Sequence, residues 1–116
     1  MKIGLCAWSF TGAHREAGCE IDPHEPEGLA GMAAASGLAS IETAADLLSR
    51  RPPDERAGFR DLLEEYGLDL FLDTGSEDLA GDQGPLLAAI ETAAELGARA
   101  VRTTISSVLE LSLIHI

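Results

Sequence analysis

The spacing of apolar residues switches back and forth along the chain between the two-residue period of a strand and the longer period of a helix. KIGLCAW reads as a first strand, and a weak helical pattern with Leu29, Met32 and Ala33 on one face follows near Glu27 to Ser36. Three further strand-like runs, GLASIET, GLDLFLDT and GARAVRTT, begin at Gly37, Gly67 and Gly97, one every 30 residues. Each of these glycines ends a helical pattern, where a residue of positive φ is wanted just past the last turn, and each precedes a strand. One βα unit per repeat is the simplest reading.

The helices support that reading. In DERAGFRDLLEEYG, Phe59, Leu62, Leu63 and Tyr66 share a face, and Asp54 and Glu55 stand near the positive end of the helix dipole. In GPLLAAIETAAELG, Pro85 suits the first helical position, and Leu86, Ile90, Ala93 and Ala94 form a narrow apolar stripe. Gly31 weakens the first helix by about 1 kcal/mol relative to alanine.

The predicted order is β-α-β-α-β-α-β, an α/β fold of parallel βα repeats with about four strands and three helices, whose crossovers should be right-handed. An open doubly wound sheet and part of a closed barrel both satisfy this order. Little more than the glycine separates each helix from the next strand, whereas the segments after the strands are longer: Ser9 to Glu27, Thr43 to Pro53 and Asp73 to Gly84. Elaboration at the C-terminal ends of the strands suits either architecture. The first βα turn, WSFTGAHREAG, lacks the G-x-G-x-x-G of a dinucleotide cradle, which weakens the open-sheet reading. Eight units of this length give about 240 residues, close to the roughly 250 of a (β/α)8 TIM barrel. The expectation is therefore a partial TIM barrel, about half of one.

Composition narrows the setting. With 46% apolar residues the chain has the makings of a packed domain, and its net charge of −12 disfavours nucleic acid as a partner. Two cysteines, Cys6 and Cys19, are too few for a disulfide framework, so a reducing cytoplasm is the expected location. The apolar start reads as a strand rather than a signal peptide, and the uncharged segment around Met32 is too short to span a bilayer, so no membrane role is expected.

The last six residues, LSLIHI, stand apart from the composition before them. The codons CTG TCT CTT ATA CAC ATC translate to this string, which matches a transposon-end adapter used in sequencing libraries. The expectation is a domain over residues 1–110 followed by a non-native tail over 111–116, against a natural apolar strand or helix end. Reading the gene past Glu110 in source DNA separates the two.

Taken together, MKIGLCAWSF, GLASIE, YGLDLFL and AAELGARAVR resemble the xylose isomerase-like TIM barrels, the sugar phosphate isomerase/epimerase superfamily. The resemblance covers nearly all of residues 1–110 as spaced short phrases, and points to the superfamily more than to a substrate. It implies a parent that moves a proton through an enediolate on a small sugar or keto acid. In the epimerase branch a divalent ion, Mn²⁺ or Mg²⁺, is held by Glu, Asp, His and Glu on later strands. These positions would lie beyond Glu110, so no metal ligand is assigned in this chain and the cofactor is expected only in the intact parent.

The residues themselves offer a polar mouth: Trp8 and Ser9 after the first strand, Glu42 and Thr43 after the second, Asp73 and Thr74 after the third, and Arg102 to Thr104 on the fourth. Glu42 suits acceptance of sugar hydroxyl hydrogen bonds, or is a solvated loop acid. Arg102 suits a pair with Glu42 or a substrate anion, and a purely structural ion pair is the competing role. Trp8 suits an apolar wall against a sugar ring, or packing beneath the first loop. That loop carries His14, Cys19, Glu20, Asp22, His24 and Glu25 in no recognised metal-ligand spacing, and reads as a substrate-covering lid in which His14 or His24 could relay protons. Substrate-binding candidates are thus Trp8, His14, Glu42 and Arg102, with catalytic groups unassigned.

Three functions compete: a metal-dependent isomerase or epimerase, a metal-free binding or regulatory module of the same fold, and an apurinic-site endonuclease-like member, which would need a strongly basic remainder. The 116-residue chain alone is expected to be inactive and to self-associate through open edge strands near Ile3 and Val101.

Overall fold

The computed structural model describes residues 2–7, 25–76 and 84–104. Four strands, β1 (Gly4–Cys6), β2 (Ser40–Ala44), β3 (Asp69–Ser76) and β4 (Ala100–Thr104), form one sheet in the order β1-β2-β3-β4 with every pairing parallel. Between them run α1 (Pro26–Ala35), α2 (Ala45–Ser49), α3 (Pro53–Tyr66) and α4 (Gly84–Leu96). The fold is therefore α/β with alternating strands and helices. The short α2 lies in the segment after the second strand, where the sequence predicts a loop. Five residues are too few to display a helical period.

Local chemistry explains where the helices stop. Gly37, Gly67 and Gly97 have φ of 71°, 66° and 71°, the left-handed region that side chains with a Cβ avoid. At Gly67 the chain closes a Schellman cap: Gly67 N–H donates to Glu64 O at 3.1 Å and Leu68 N–H to Leu63 O at 2.9 Å. Gly37 and Leu38 make the same pair of bonds to Ala34 and Ala33. One step later each connection joins the sheet: Ala39 N–H donates to Ile3 O, Asp69 N–H to Ala39 O and Arg99 N–H to Leu70 O. The glycine period in the sequence is thus the period at which helix becomes strand.

One face of the sheet carries the core. Ile41, Leu70 and Leu72 are buried there with Leu29, Leu48, Phe59, Leu63 and Leu96 from the helices. Fully burying side chains of this size contributes at most about 1.5–3 kcal/mol each. In α3, Phe59 and Leu63 are buried and Leu62 packs against the core, but Tyr66 at the end of the stripe is exposed. In α4 the buried set is Ala89, Thr92, Ala93 and Leu96, so the expected stripe is displaced: Ile90 and Ala94 lie outside the core. Periodicity identifies an apolar arc without saying which part of it meets the sheet.

Arginines seal the seams between helices. Arg51 holds both carboxylate oxygens of Glu27 on α1, with Nη2 to Oε2 at 2.9 Å. Arg56 of α3 donates from Nε to Glu95 of α4 at 2.9 Å and also to the Arg51 carbonyl, and Arg60 Nη1 donates to the Glu95 carbonyl at 2.8 Å. The Arg51 hydrogen bond lowers the pKa of Glu27, against a smaller opposing effect of burial.

Two tests follow from this frame. Gly67→Ala forces a Cβ into the left-handed region and should cost about 1–2 kcal/mol, whereas Gly31→Ala, where an added Cβ meets nothing within 4 Å, should add up to about 1 kcal/mol. Urea unfolding reads both, and equal signs would refute the assignment. Because the folded pKa of Glu27 is depressed, its pairing stabilises the fold above the ordinary carboxylate pKa, and that contribution disappears as pH falls through the lower folded value. Glu27→Gln should therefore lower the urea midpoint at neutral pH, and the difference should shrink as pH is taken down below the ordinary carboxylate range.

Candidate functional site

Strand alternation sorts the sheet's side chains between two faces. Ile41 and Thr43 of β2 and Leu70 and Leu72 of β3 point into the helix-covered core; Ser40, Glu42 and Ala44, with Phe71 and Asp73, point to the other face. Across the register, Cys6 stands opposite Glu42, and Arg102 opposite Asp73. Thr43 is fully buried on the helix side, so it does not belong with Glu42 in the polar mouth. Glu42 itself lies within β2 rather than after it, and Asp73 within β3.

On that face, which carries no helix among the described residues, the structure gathers Cys6, Glu42, Asp73 and Arg102 from four adjacent strands. Arg102 Nη1 is 3.2 Å from Glu42 Oε1, and Arg102 Nε is 3.8 Å from Asp73 Oδ1. The Cys6 sulfur and one carboxylate oxygen from each of Glu42 and Asp73 lie within 4.8 Å of one another. Side-chain exposure is graded: 9% for Asp73, 19% for Glu42 and 72% for Arg102. Two shielded carboxylates therefore sit beneath a solvent-facing guanidinium. An ion pair with one member this exposed is worth only about 0–1 kcal/mol, so a ligand bearing hydroxyls or negative charge can replace it at small cost.

The backbone changes at the same place. Asp73 pairs with Arg102 but Ser76 pairs with Thr104, so β3 carries one more residue than β4 over this stretch, a bulge of the kind that re-aims side chains. Thr74 Oγ1 donates to the Arg102 carbonyl at 3.3 Å and ties the two strands together there. Over the ends of β2 and β3 opens a cavity of about 420 Å³, with Asp73 and Thr74 on one wall, Asp46 and Arg50 of α2 on another, and Pro85 and Ala88 of α4 closing it. A second hollow of about 290 Å³ lies on the Glu42 face of the sheet beside Cys6 and Phe71. Its floor is tight: a Cβ on Gly4 would come within 2.1 Å of Ser40 Oγ.

Of the sequence-derived candidates, Glu42 and Arg102 meet directly, while Trp8 and His14 lie outside the described residues. Cys6 and α2 were missed. The signal for Cys6 was present in the alternation of KIGLCAW, which puts Gly4 and Cys6 on the face opposite Leu5 and Ala7. The register that brings it to Glu42 was not legible, because pairing is set by the distant second strand.

The divalent ion implied by the family resemblance does not fit this cluster. A hard cation takes oxygen ligands, one of the three groups is a soft sulfur, and Arg102 already places positive charge against both carboxylates. What the arrangement can do chemically is accept hydrogen bonds from hydroxyls at Glu42 and Asp73 and donate from Arg102 to an anionic or carbonyl oxygen. No helix among the described residues is long and apolar enough to cross a membrane. No protein-family model matches the chain, and no curated protein sequence matches it significantly, so the functional reading rests on this geometry and on the motifs of the sequence.

Proposed function

We propose that this chain is the first half of a xylose isomerase-like TIM barrel whose intact form isomerises or epimerises a small sugar or keto acid. The observation that carries the reading is the Glu42–Arg102–Asp73 cluster, drawn from three adjacent parallel strands onto the face that bears no helix among the described residues. In a barrel that face is the interior, and sites form toward the C-terminal ends of the strands. Winding supports the same reading, since strand order follows chain order and each connection moves the same way across the sheet.

In this reading the described residues bind and orient. Glu42 and Asp73 accept hydrogen bonds from adjacent hydroxyls, and Arg102 swings from Glu42 toward a carbonyl or carboxylate oxygen of the substrate. A divalent ion, held by carboxylates and histidine on later strands, supplies carbonyl polarisation when bound. One observation favours a second reading, a metal-free binding module of the same fold: the first-half carboxylates are already neutralised by an arginine.

The test uses the complete protein, expressed from the full reading frame in source DNA. Solvent deuterium should enter the substrate at the carbon next to the carbonyl, and a chelator should abolish exchange until Mn²⁺ or Mg²⁺ is restored. Glu42→Gln should lower kcat/KM about 10–100-fold, mostly through KM, because it removes binding rather than proton transfer. Sugar binding without exchange, indifferent to chelator, would replace the enzyme reading with the binding-module one. Absence of both sinks the proposal.

A further inference from the structure

The register of the sheet carries a stagger. Ser40 pairs with Asp69 and Phe71 with Ala100, each 29 residues on, whereas Gly37, Gly67 and Gly97 recur every 30. Each new strand therefore meets the one before it one residue earlier in the repeat, the slant that a sheet needs in order to close on itself. Carried through eight strands, one residue per strand gives a shear of about eight, the value of a closed parallel barrel. Four strands supply half of it. Among the described residues neither β1 nor β4 has a strand on its outer side.

We propose that two copies of the 116-residue chain close one eight-stranded barrel between them, β4 of each pairing in parallel with β1 of the other about a twofold axis. Four strands turn through half a circle, so a head-to-tail contact between β4 and β1 closes after two copies instead of growing into a filament. Closure fixes the seam. Along the rows Cys6 leads to Glu42, then Phe71, then Ala100. Half the total shear, about four residues, then sets Ala100 beside Lys2 of the second copy, Val101 beside its Ile3 and Thr103 beside its Leu5. Side-chain direction agrees with this register: Val101 and Ile3 both face the helix side of the sheet, and Arg102 and Gly4 both face the Glu42 side. Ile3, 59% exposed in a single copy, gains Val101 as an apolar neighbour, and the half-buried Phe71 becomes part of an enclosed interior. The site also gains a group from the second copy, because Arg102 faces its Gly4, over which Ser40 Oγ offers an acceptor. Pairing β4 with β4 of another copy is the poorer fit, since it is antiparallel and leaves both β1 edges open.

Closure rests on the barrel reading of the sheet and is independent of the chemistry proposed for it. Sedimentation velocity of the unaltered 116-residue chain should show a dimer that gains no further subunits as concentration rises. In a background of Cys6→Ala and Cys19→Ala, first checked for the same sedimentation, Ile3→Cys chains are refolded together with Val101→Cys chains and treated with a short thiol cross-linker. The mixture should give at least about tenfold more covalent dimer than either variant alone, and Leu5→Cys with Thr103→Cys should do the same. A monomer overturns the proposal. So does a ladder of oligomers that lengthens with concentration, and so does Val101→Cys linking to itself as well as to Ile3→Cys, the mark of β4 pairing with β4. Deuterium exchange in the full-length protein tests the chemistry separately. A closed dimer of the short chain without exchange there keeps this inference and removes the functional one, and exchange with a monomeric short chain does the reverse.

Discussion

Handedness of the βαβ crossover is the constraint from which the rest of this structure follows. A right-twisted strand that feeds a right-handed helix can return to the same sheet on one hand only, so the direction in which strands are added decides which face each helix covers. Here β2, β3 and β4 are added in one direction without reversal. Among the described residues the helices then pack on one face, and the core of Ile41, Leu70, Leu72, Leu29, Phe59 and Leu96 is the result. A single reversal in strand order would have put a helix over Glu42 and Asp73. Among the described residues, the winding puts the helices on the face opposite the polar cluster.

Much of the fold was legible because its causes are local. A glycine with positive φ ends a helix regardless of the rest of the molecule, so the 30-residue glycine period translated directly into helix–strand junctions at Gly37, Gly67 and Gly97. What failed were questions whose answers lie elsewhere in the chain. The stripe of α4 was real, but its division between sheet contact and outer flank depends on where α3 and β4 stand. Thr43 and Glu42 are neighbours in sequence and looked like one polar group, yet strand alternation sends one into the core and the other to the open face. Cys6 reaches the cluster only through a parallel register that a single sequence does not encode locally.

Arginine has two roles in this acidic chain. With a net charge of −12, packing helices side by side would set carboxylates against one another, and Arg51, Arg56 and Arg60 turn those seams into attractive contacts. Their partners are the carboxylates of Glu27 and Glu95 and the main-chain carbonyls of Arg51 and Glu95. Arg102 has a different setting. It sits on the edge strand, its guanidinium mostly in water, above carboxylates that are mostly out of it.

That asymmetry determines how the cluster responds to being covered. At 4 Å two unit charges attract by about 1 kcal/mol in water and about 4 kcal/mol at an effective dielectric near 20. Left open to solvent, the Arg102–Glu42 pair is weak and readily exchanged. Further strands or a ligand over this face would raise the Coulomb attraction and the desolvation penalty together, leaving Glu42, Asp73 and Arg102 a net benefit only if every donor and acceptor finds a partner. A ligand with closely spaced hydroxyls and one carbonyl or carboxylate oxygen meets that condition, because it supplies donors to the two carboxylates while accepting from the guanidinium. An apolar ligand of the same size would strand all three groups and bind poorly.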